Sequence, residues 1–169
     1  MIYDAFNRRV EKRTAHASEA VRFLWDGSRL AERWYERNGT TASAITWHIS
    51  LTDFGPIAQE TDTGIYPVIS NPIGLPNAIF DQQGQVVCKA NHTLWGRLTS
   101  ASNEDHAYDV SLRFPGQWAD EEDDLHYNLN RYYDPSIGHY LSIDPIGLNG
   151  GWRTQSYVHN PVAFCDPKG

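Results

Sequence analysis

Asp stands before Pro three times in the last 36 residues, at Asp134-Pro135, Asp144-Pro145 and Asp166-Pro167. A Gly follows each pair closely: Gly138, Gly147 and Gly169. Two carboxylates that share one proton can activate water or polarise an amide, because like charges at close range keep one acid protonated while the other acts as base. Asp before Pro also caps a turn, its side chain accepting backbone N–H bonds. The residue types alone leave both readings open, with the turn favoured. Arg131 adds a cation that can pair with a carboxylate or stack on Tyr132 or Tyr133; a structural role is expected for it, and for Asp134.

Other chemistries find less support. The seven His (His16, His48, His92, His106, His126, His139, His159) show no metal-ligand spacing, and Cys88 and Cys165 are not placed for zinc, so no metal and no cofactor are expected. Two Cys make no disulfide framework, and reduced, partly buried thiols in a cytosolic chain are expected. The acidic run Asp120 to Asp124 lacks the alternation and Gly of a calcium loop and reads as a solvated turn. The basic run Arg8, Arg9, Lys12, Arg13 reads as a solvated strand face. A net charge of -7 argues against nucleic-acid binding as a main role. No stretch is long and apolar enough to span a membrane, and the N-terminus has no signal-peptide pattern.

The elements that must position these side chains read as strands. Aromatic residues make up 12 % of the chain and helix-favouring runs are scarce. Val21, Phe23 and Trp25 alternate up to Asp26-Gly27, a hairpin signal; Ile45, Trp47 and Ile49 alternate again. A helix over 10–24 is the second-ranked alternative. Ala78 to Phe80, the turn Asp81-Gln82-Gln83-Gly84, and Val86-Val87 form another hairpin. Residues 99–110 are polar and read as a loop. PIGL occurs twice, at Pro72 to Leu75 and Pro145 to Leu148, each time behind Asn or Asp, as weak internal repetition.

Residues 112–169, "LRFPGQWADEEDDLHYNLNRYYDPSIGHYLSIDPIGLNGGWRTQSYVHNPVAFCDPKG", closely resemble the core-associated segment of Rhs and YD-repeat proteins. Residues 66–97 look like the Rhs segment before it. Tyr3-Asp4 with Asn7-Arg8, and Trp25-Asp26-Gly27, look like single YD repeats. The resemblance implies an all-β fold, with YD-repeat strands and hairpins forming part of an Rhs-type β shell and short helical or irregular segments near the C-terminus. The division it implies is 1–65 degenerate repeat strands, 66–98 Rhs-type repeat, 99–111 linker and 112–169 core-associated segment.

Members of this bacterial family are polymorphic toxins of interbacterial competition. Their shell encloses a variable toxin that follows a DPxGL-type sequence and is cut free by an aspartyl-protease-like site. The resemblance points to Asp144, and less firmly Asp166, as catalytic, with Lys168 and Gly169 next to the cut. Arg131, Tyr132, Tyr133, Asp134, Pro135, Pro145, Gly147 and Pro167 are then structural. This chain departs from the pattern in ending at Asp166-Pro167-Lys168-Gly169 with neither Leu nor toxin, in its few repeats, and in Ile-Ser-Asn at 69–71 where the family more often has His and Asp. A structural shell fragment without toxin activity is expected. The alternatives are a self-cleaving module that needs the downstream chain, and a carbohydrate- or protein-binding β module. The implied partners are other shell segments, a C-terminal toxin or a secretion-apparatus component. The implied location is the cytoplasm, or export with a secretion-system effector.

Overall fold

A computed structural model describes residues 1–13, 19–52, 54–103, 108–120 and 122–169. The chain first builds a ten-stranded antiparallel meander, in which every strand pairs with its sequence neighbours: β1 (Ile2–Tyr3), β2 (Arg9–Arg13), β3 (Glu19–Asp26), β4 (Arg29–Arg37), β5 (Thr40–Ile49), β6 (Pro56–Thr61), β7 (Gly64–Ser70), β8 (Pro76–Phe80), β9 (Val86–His92) and β10 (Leu98–Asn103). A four-stranded antiparallel sheet follows: β11 (Trp118–Ala119), β12 (His126–Asn128), β13 (Arg131–Asp134) and β14 (His139–Tyr140). A short 3-10 turn at Gly147–Gly150 is the irregular C-terminal element.

One local device recurs at three of the connections. An Asp or Asn at the end of a strand accepts N–H bonds on its side-chain oxygen from the residues two and four positions on, and its own carbonyl accepts from the residue three on. Asp4 does this with Phe6, Arg8 and Asn7. Asn71 does it with Ile73, Leu75 and Gly74, and Asp81 with Gln83, Gln85 and Gly84. The Asp26-Gly27 hairpin forms with Asp26 opposite Arg29. β4 and β5 are joined by Asn38-Gly39, both at positive φ, a two-residue turn whose twist matches the strands.

Strands occupy 9–13 and 19–26, where a helix was the second alternative, because aromatic alternation in β3 outweighs the helix propensity of Glu19 and Ala20. Residues 14–18, including His16, lie outside the described residues. β10 (Leu98–Asn103) takes residues 99–103 out of the segment read as a polar loop: β9 supplies a paired edge, and a polar strand can face water. The rest of that segment up to 107, with His106, lies outside the described residues.

The second sheet packs on one face of the first. Trp118 meets Phe23 and Trp47 edge to face, each with ring centroids 5.6 Å apart. Phe23, Leu30, Trp47 and Trp118 form one buried cluster. A second cluster, Leu75, Phe114, Tyr133, Tyr140 and Tyr157, lies under the C-terminal turns. Emptying the Trp118 site by truncation to Ala costs about 3–5 kcal/mol.

Charges also cross this interface, and here the reading of the two charge runs is corrected. Arg9 and Lys12 are buried, not solvated, and so is Asp120 at the head of the acidic run. Arg9 Nη1 lies 2.7 Å from Asp120 Oδ2, and Lys12 Nζ lies 3.0 Å from Oδ1. The Arg9 guanidinium sits between the rings of Tyr127 and Phe23. Arg8 pairs with Asp4, and only Arg13 of the basic run is mostly exposed. Glu121 lies outside the described residues. A strand face stays in water only if nothing covers it, and Asp120, 111 positions from Arg9 in sequence, helps cover this one.

Between the sheets lies a polar interior. His126 Nδ1 is 3.0 Å from Gln117 Oε1. Burial, aided by the positive charge of Arg113, pulls the His126 pKa down to about 2 and that of His92 down to about 4. Burial also lowers Arg113 to about 10, against the opposing pull of Asp109. Cys88 is buried and Cys165 half-buried, and neither is in a disulfide among the described residues. Among the described residues no helix is long and apolar enough to cross a membrane.

Candidate active site

The three Asp-Pro pairs have separate fates. Asp134 closes the β13–β14 turn: its Oδ1 accepts from the Ser136 N–H at 2.8 Å, and its carbonyl accepts from Gly138. Pro135 is buried there. Tyr133 is fully buried and donates to the Trp95 carbonyl at 3.0 Å. Tyr132 reaches the N-terminal strand, 3.3 Å from the Tyr3 hydroxyl and 3.4 Å from Met1 Sδ. These four residues hold the β13–β14 turn and its neighbouring elements together.

Asp144 and Asp166 come together on Arg131. Arg131 Nη2 lies 3.2 Å from Asp144 Oδ2 and 2.8 Å from Asp166 Oδ2. One nitrogen touching both oxygens keeps them within about 6 Å of each other. The Arg131 side chain is 2 % exposed, while those of Asp144 and Asp166 are 17 % and 25 % exposed. The cation is sealed in, and the carboxylates face toward water.

Each Asp divides its two oxygens between a turn and the cation. Asp144 Oδ1 accepts from the Ile146 N–H at 2.9 Å, closing the turn Asp144-Pro145-Ile146-Gly147, while Oδ2 faces Arg131. Asp166 Oδ1 accepts from the Lys168 N–H at 3.4 Å, while Oδ2 faces Arg131. Turn capping and a paired-carboxylate arrangement therefore coexist at both residues.

Arg131 pairs with both carboxylates at once, and its stacking partner is the Tyr140 ring, 3.6 Å from the guanidinium carbon, in place of Tyr132 or Tyr133. Neighbours in a strand point to opposite faces, so Tyr132 faces away from Arg131, and the next strand, β14, supplies the ring. Arg131 Nη1 donates to the Thr154 carbonyl, which also accepts from the Asp144 N–H; this ties the loop bearing Asp144 to β13.

Close backbone approach sets the site's walls. A Cβ at Gly150 would stand 2.6 Å from Asp144 Oδ2. A Cβ at Gly116 would stand 2.3 Å from the Pro167 carbonyl oxygen, so residues 166–168 thread past the 114–117 turn only because Gly is there. Asn130 Nδ2 donates to the Lys168 carbonyl and holds the far side of that segment. Beside Gly150 opens a groove of about 770 Å³ walled by Trp95, His139, Trp152 and Phe164, with Trp152 95 % exposed.

Sequence reasoning missed Tyr140 and Asn128. Tyr140 Oη donates to Asp166 Oδ2 at 3.0 Å, and Asn128 Nδ2 donates to Tyr140 Oη at 2.7 Å. Burial, and then the charge of Asp166, push the Tyr140 phenol far above its ordinary range, so it stays protonated. The spacing of Asn128, Arg131 and Tyr140 gives no one-dimensional signal, because three strands bring them together. Among the described residues no group of His, Cys, Asp and Glu is arranged to hold a metal ion.

An unbroken antiparallel meander capped on one face by a small aromatic-rich sheet is a β-shell segment built from YD-type hairpins. The teneurin YD-shell family matches residues 1–161, and the chain belongs to that family. It is 37 % identical over 171 residues to the probable deoxyribonuclease RhsA of Dickeya dadantii (strain 3937), an alignment covering 99 % of this chain and 12 % of RhsA. It is 32 % identical to double-stranded DNA deaminase toxin A of Burkholderia cenocepacia (strain H111), covering 99 % of this chain and 13 % of that protein. It is 31 % identical to the tRNA3(Ser)-specific nuclease WapA of Bacillus spizizenii, covering 99 % and 7 %. The chain thus spans about an eighth or less of the length of these relatives. The crystal structure of TcdB2-TccC3 shares the fold, with a TM-score of 0.72 at 22 % identity over 98 % of this chain and 9 % of that one.

Proposed function

We propose that this segment closes a YD-repeat shell around a toxin that follows it in the longer protein, and that Asp144, Asp166 and Arg131 cut the junction. One observation carries the shell reading. Relatives named for a deoxyribonuclease, a DNA deaminase and a tRNA nuclease each match 99 % of this chain. Three different chemistries do not share one active site, so the shared segment supplies what such proteins have in common. That common part is the housing, with other shell segments and a C-terminal toxin as partners. Release alongside a secretion apparatus belongs to the same reading.

The cutting step follows from the paired carboxylates. One takes a proton from water as its oxygen attacks the scissile carbonyl carbon; the other gives its proton to the amide nitrogen as the C–N bond breaks. Arg131 offsets the charge of whichever carboxylate is ionised and keeps both within reach of one substrate bond. The groove beside Gly150 gives an extended chain room to lie next to Asp144.

The test is a fusion with Leu and a reporter domain after Gly169, in a chain carrying enough upstream repeats to build a shell. Cleavage after the new Leu is expected, and Asp144→Asn and Asp166→Asn should each abolish it with folding retained, since Asn still caps a turn but cannot share a proton. Cleavage that survives in both variants sinks the catalytic assignment and leaves the Asp-Pro pairs as turns.

A further inference from the structure

The segment that carries Asp166 is gripped through its backbone. Asn128 is fully buried, and both hydrogens of its Nδ2 are used: one goes to the Asp166 carbonyl at 2.9 Å, the other to Tyr140 Oη at 2.7 Å. A carbonyl can only accept, so the orientation of this amide is fixed. Its Oδ1 faces Gly116, where an added Cβ would stand 2.9 Å away. Two residues on, in the turn between β12 and β13, Asn130 Nδ2 donates to the Lys168 carbonyl at 3.1 Å, and its Oδ1 accepts from Asn7 Nδ2 at 3.4 Å. One hairpin thus places two side-chain amides on two carbonyls that are themselves two residues apart.

Close approach on both sides narrows the path of this segment. On one side a Cβ at Gly116 would stand 2.3 Å from the Pro167 carbonyl oxygen. On the other, a Cβ at Gly169 would stand 2.1 Å from the Asn128 backbone oxygen, at a φ of +67° that itself favours Gly. A slip that brought Lys168 to the Gly169 position would drive a side chain into that contact and take both carbonyls off their amides. From this geometry we infer that Asn128 and Asn130 are positioning residues, a backbone clamp that sets the register of residues 166–169 and so selects which bond is cut. The inference deepens the cleavage reading and rests on it. Asp166 supplies one carboxylate of the site and lies in the clamped segment itself, a few residues ahead of the bond. Holding that backbone at two points fixes the distance from the carboxylates to the bond, and a displacement of about 1 Å costs on the order of 100-fold in rate. The clamp reads main-chain oxygens, so selection depends on where the backbone lies and not on the exposed Lys168 side chain.

Asn130→Asp keeps the shape of the turn residue and exchanges the donor for an acceptor. In the reporter fusion it should slow cutting about tenfold, the effect of losing one hydrogen bond. It should also give products cut at neighbouring bonds, read from intact masses, because the register is no longer single. Gly169→Ala should slow cutting about 100-fold. Wild-type rates in either variant overturn the inference. So does slower cutting of Asn130→Asp with one unchanged product mass, which would make Asn130 a stability contact only. In the unfused 169-residue chain, the NMR resonance of the Lys168 carbonyl carbon should move upfield in Asn130→Asp while that of Asp166 stays in place. The Asn128 side-chain N–H protons should exchange slowly with water. An unmoved Lys168 carbonyl or a fast-exchanging Asn128 amide overturns the clamp whatever the fusion does. If the wild-type fusion is never cut, the cleavage reading and the selection of a bond fail together, and these resonances show whether the clamp itself stands.

Discussion

Removing the Asp120 carboxylate tests how the two sheets are held together. Asp120 is 1 % exposed, Arg9 is fully buried, and their charged atoms are 2.7 Å apart. At an effective dielectric constant of about 20, that separation corresponds to roughly 6 kcal/mol of attraction, which offsets a desolvation cost of several kcal/mol per ion. In Asp120→Asn the desolvation of Arg9 remains and the attraction goes. Lys12 keeps Glu122 at 3.0 Å on the solvent side, so most of the loss falls on Arg9. The expected destabilisation is about 3–5 kcal/mol, or about 10 °C in Tm for a chain of this size. Urea denaturation at pH 7 should show the fall in midpoint with little change in slope. The double replacement Arg9→Met with Asp120→Leu should recover most of it, since a buried pair exchanged for apolar volume is close to neutral. A loss below about 1 kcal/mol in Asp120→Asn would refute the reasoning, because it would mean that water reaches Arg9 when its partner is removed.

Two further outcomes follow from the interior and the C-terminal segment. His126 is held neutral in the fold, with a pKa of about 2 against the ordinary 6.5, so the stability its neutral form contributes is fully present above pH 6.5 and is lost as pH falls below that value. The unfolded chain gains the proton first, and by pH 5 the loss is about 2 kcal/mol. His126→Gln should remove about half of the fall in urea midpoints between pH 7 and pH 5, the remainder coming from His92, whose pKa burial holds at about 4, and an unchanged slope in that variant would refute the assignment. Gly116→Ala puts a Cβ against the Pro167 carbonyl at a φ of +85°; it should destabilise the fold by about 1–3 kcal/mol and raise amide hydrogen exchange at Lys168, whereas unchanged exchange there would show that the 166–168 segment is not pinned by that turn.

The turns were legible because their chemistry is local. An Asp or Asn that bonds N–H groups two and four residues ahead needs only its neighbours, so Asn71 to Leu75 and Asp81 to Gly84 could be placed from the sequence, and the Asp26-Gly27 hairpin from the alternation that flanks it. Alternating aromatic residues likewise sufficed for an all-β fold, and the core-associated motif sufficed for the family. The ion pairs were not legible. Arg9 and Lys12 look like solvent residues until Asp120 arrives, and a charged strand face has the same pattern whether water or a buried carboxylate covers it. The candidate site divides the same way. Sequence singled out Asp144, Asp166 and Arg131, yet it set turn capping against catalysis as rivals. Only the tertiary structure shows that a carboxylate has two oxygens and uses one for each role. Asn128 and Tyr140 were beyond reach for a related reason: their directional hydrogen bonds depend on the stacking of β12, β13 and β14 and on the path of residues 166–168, which the long-range packing of the chain decides.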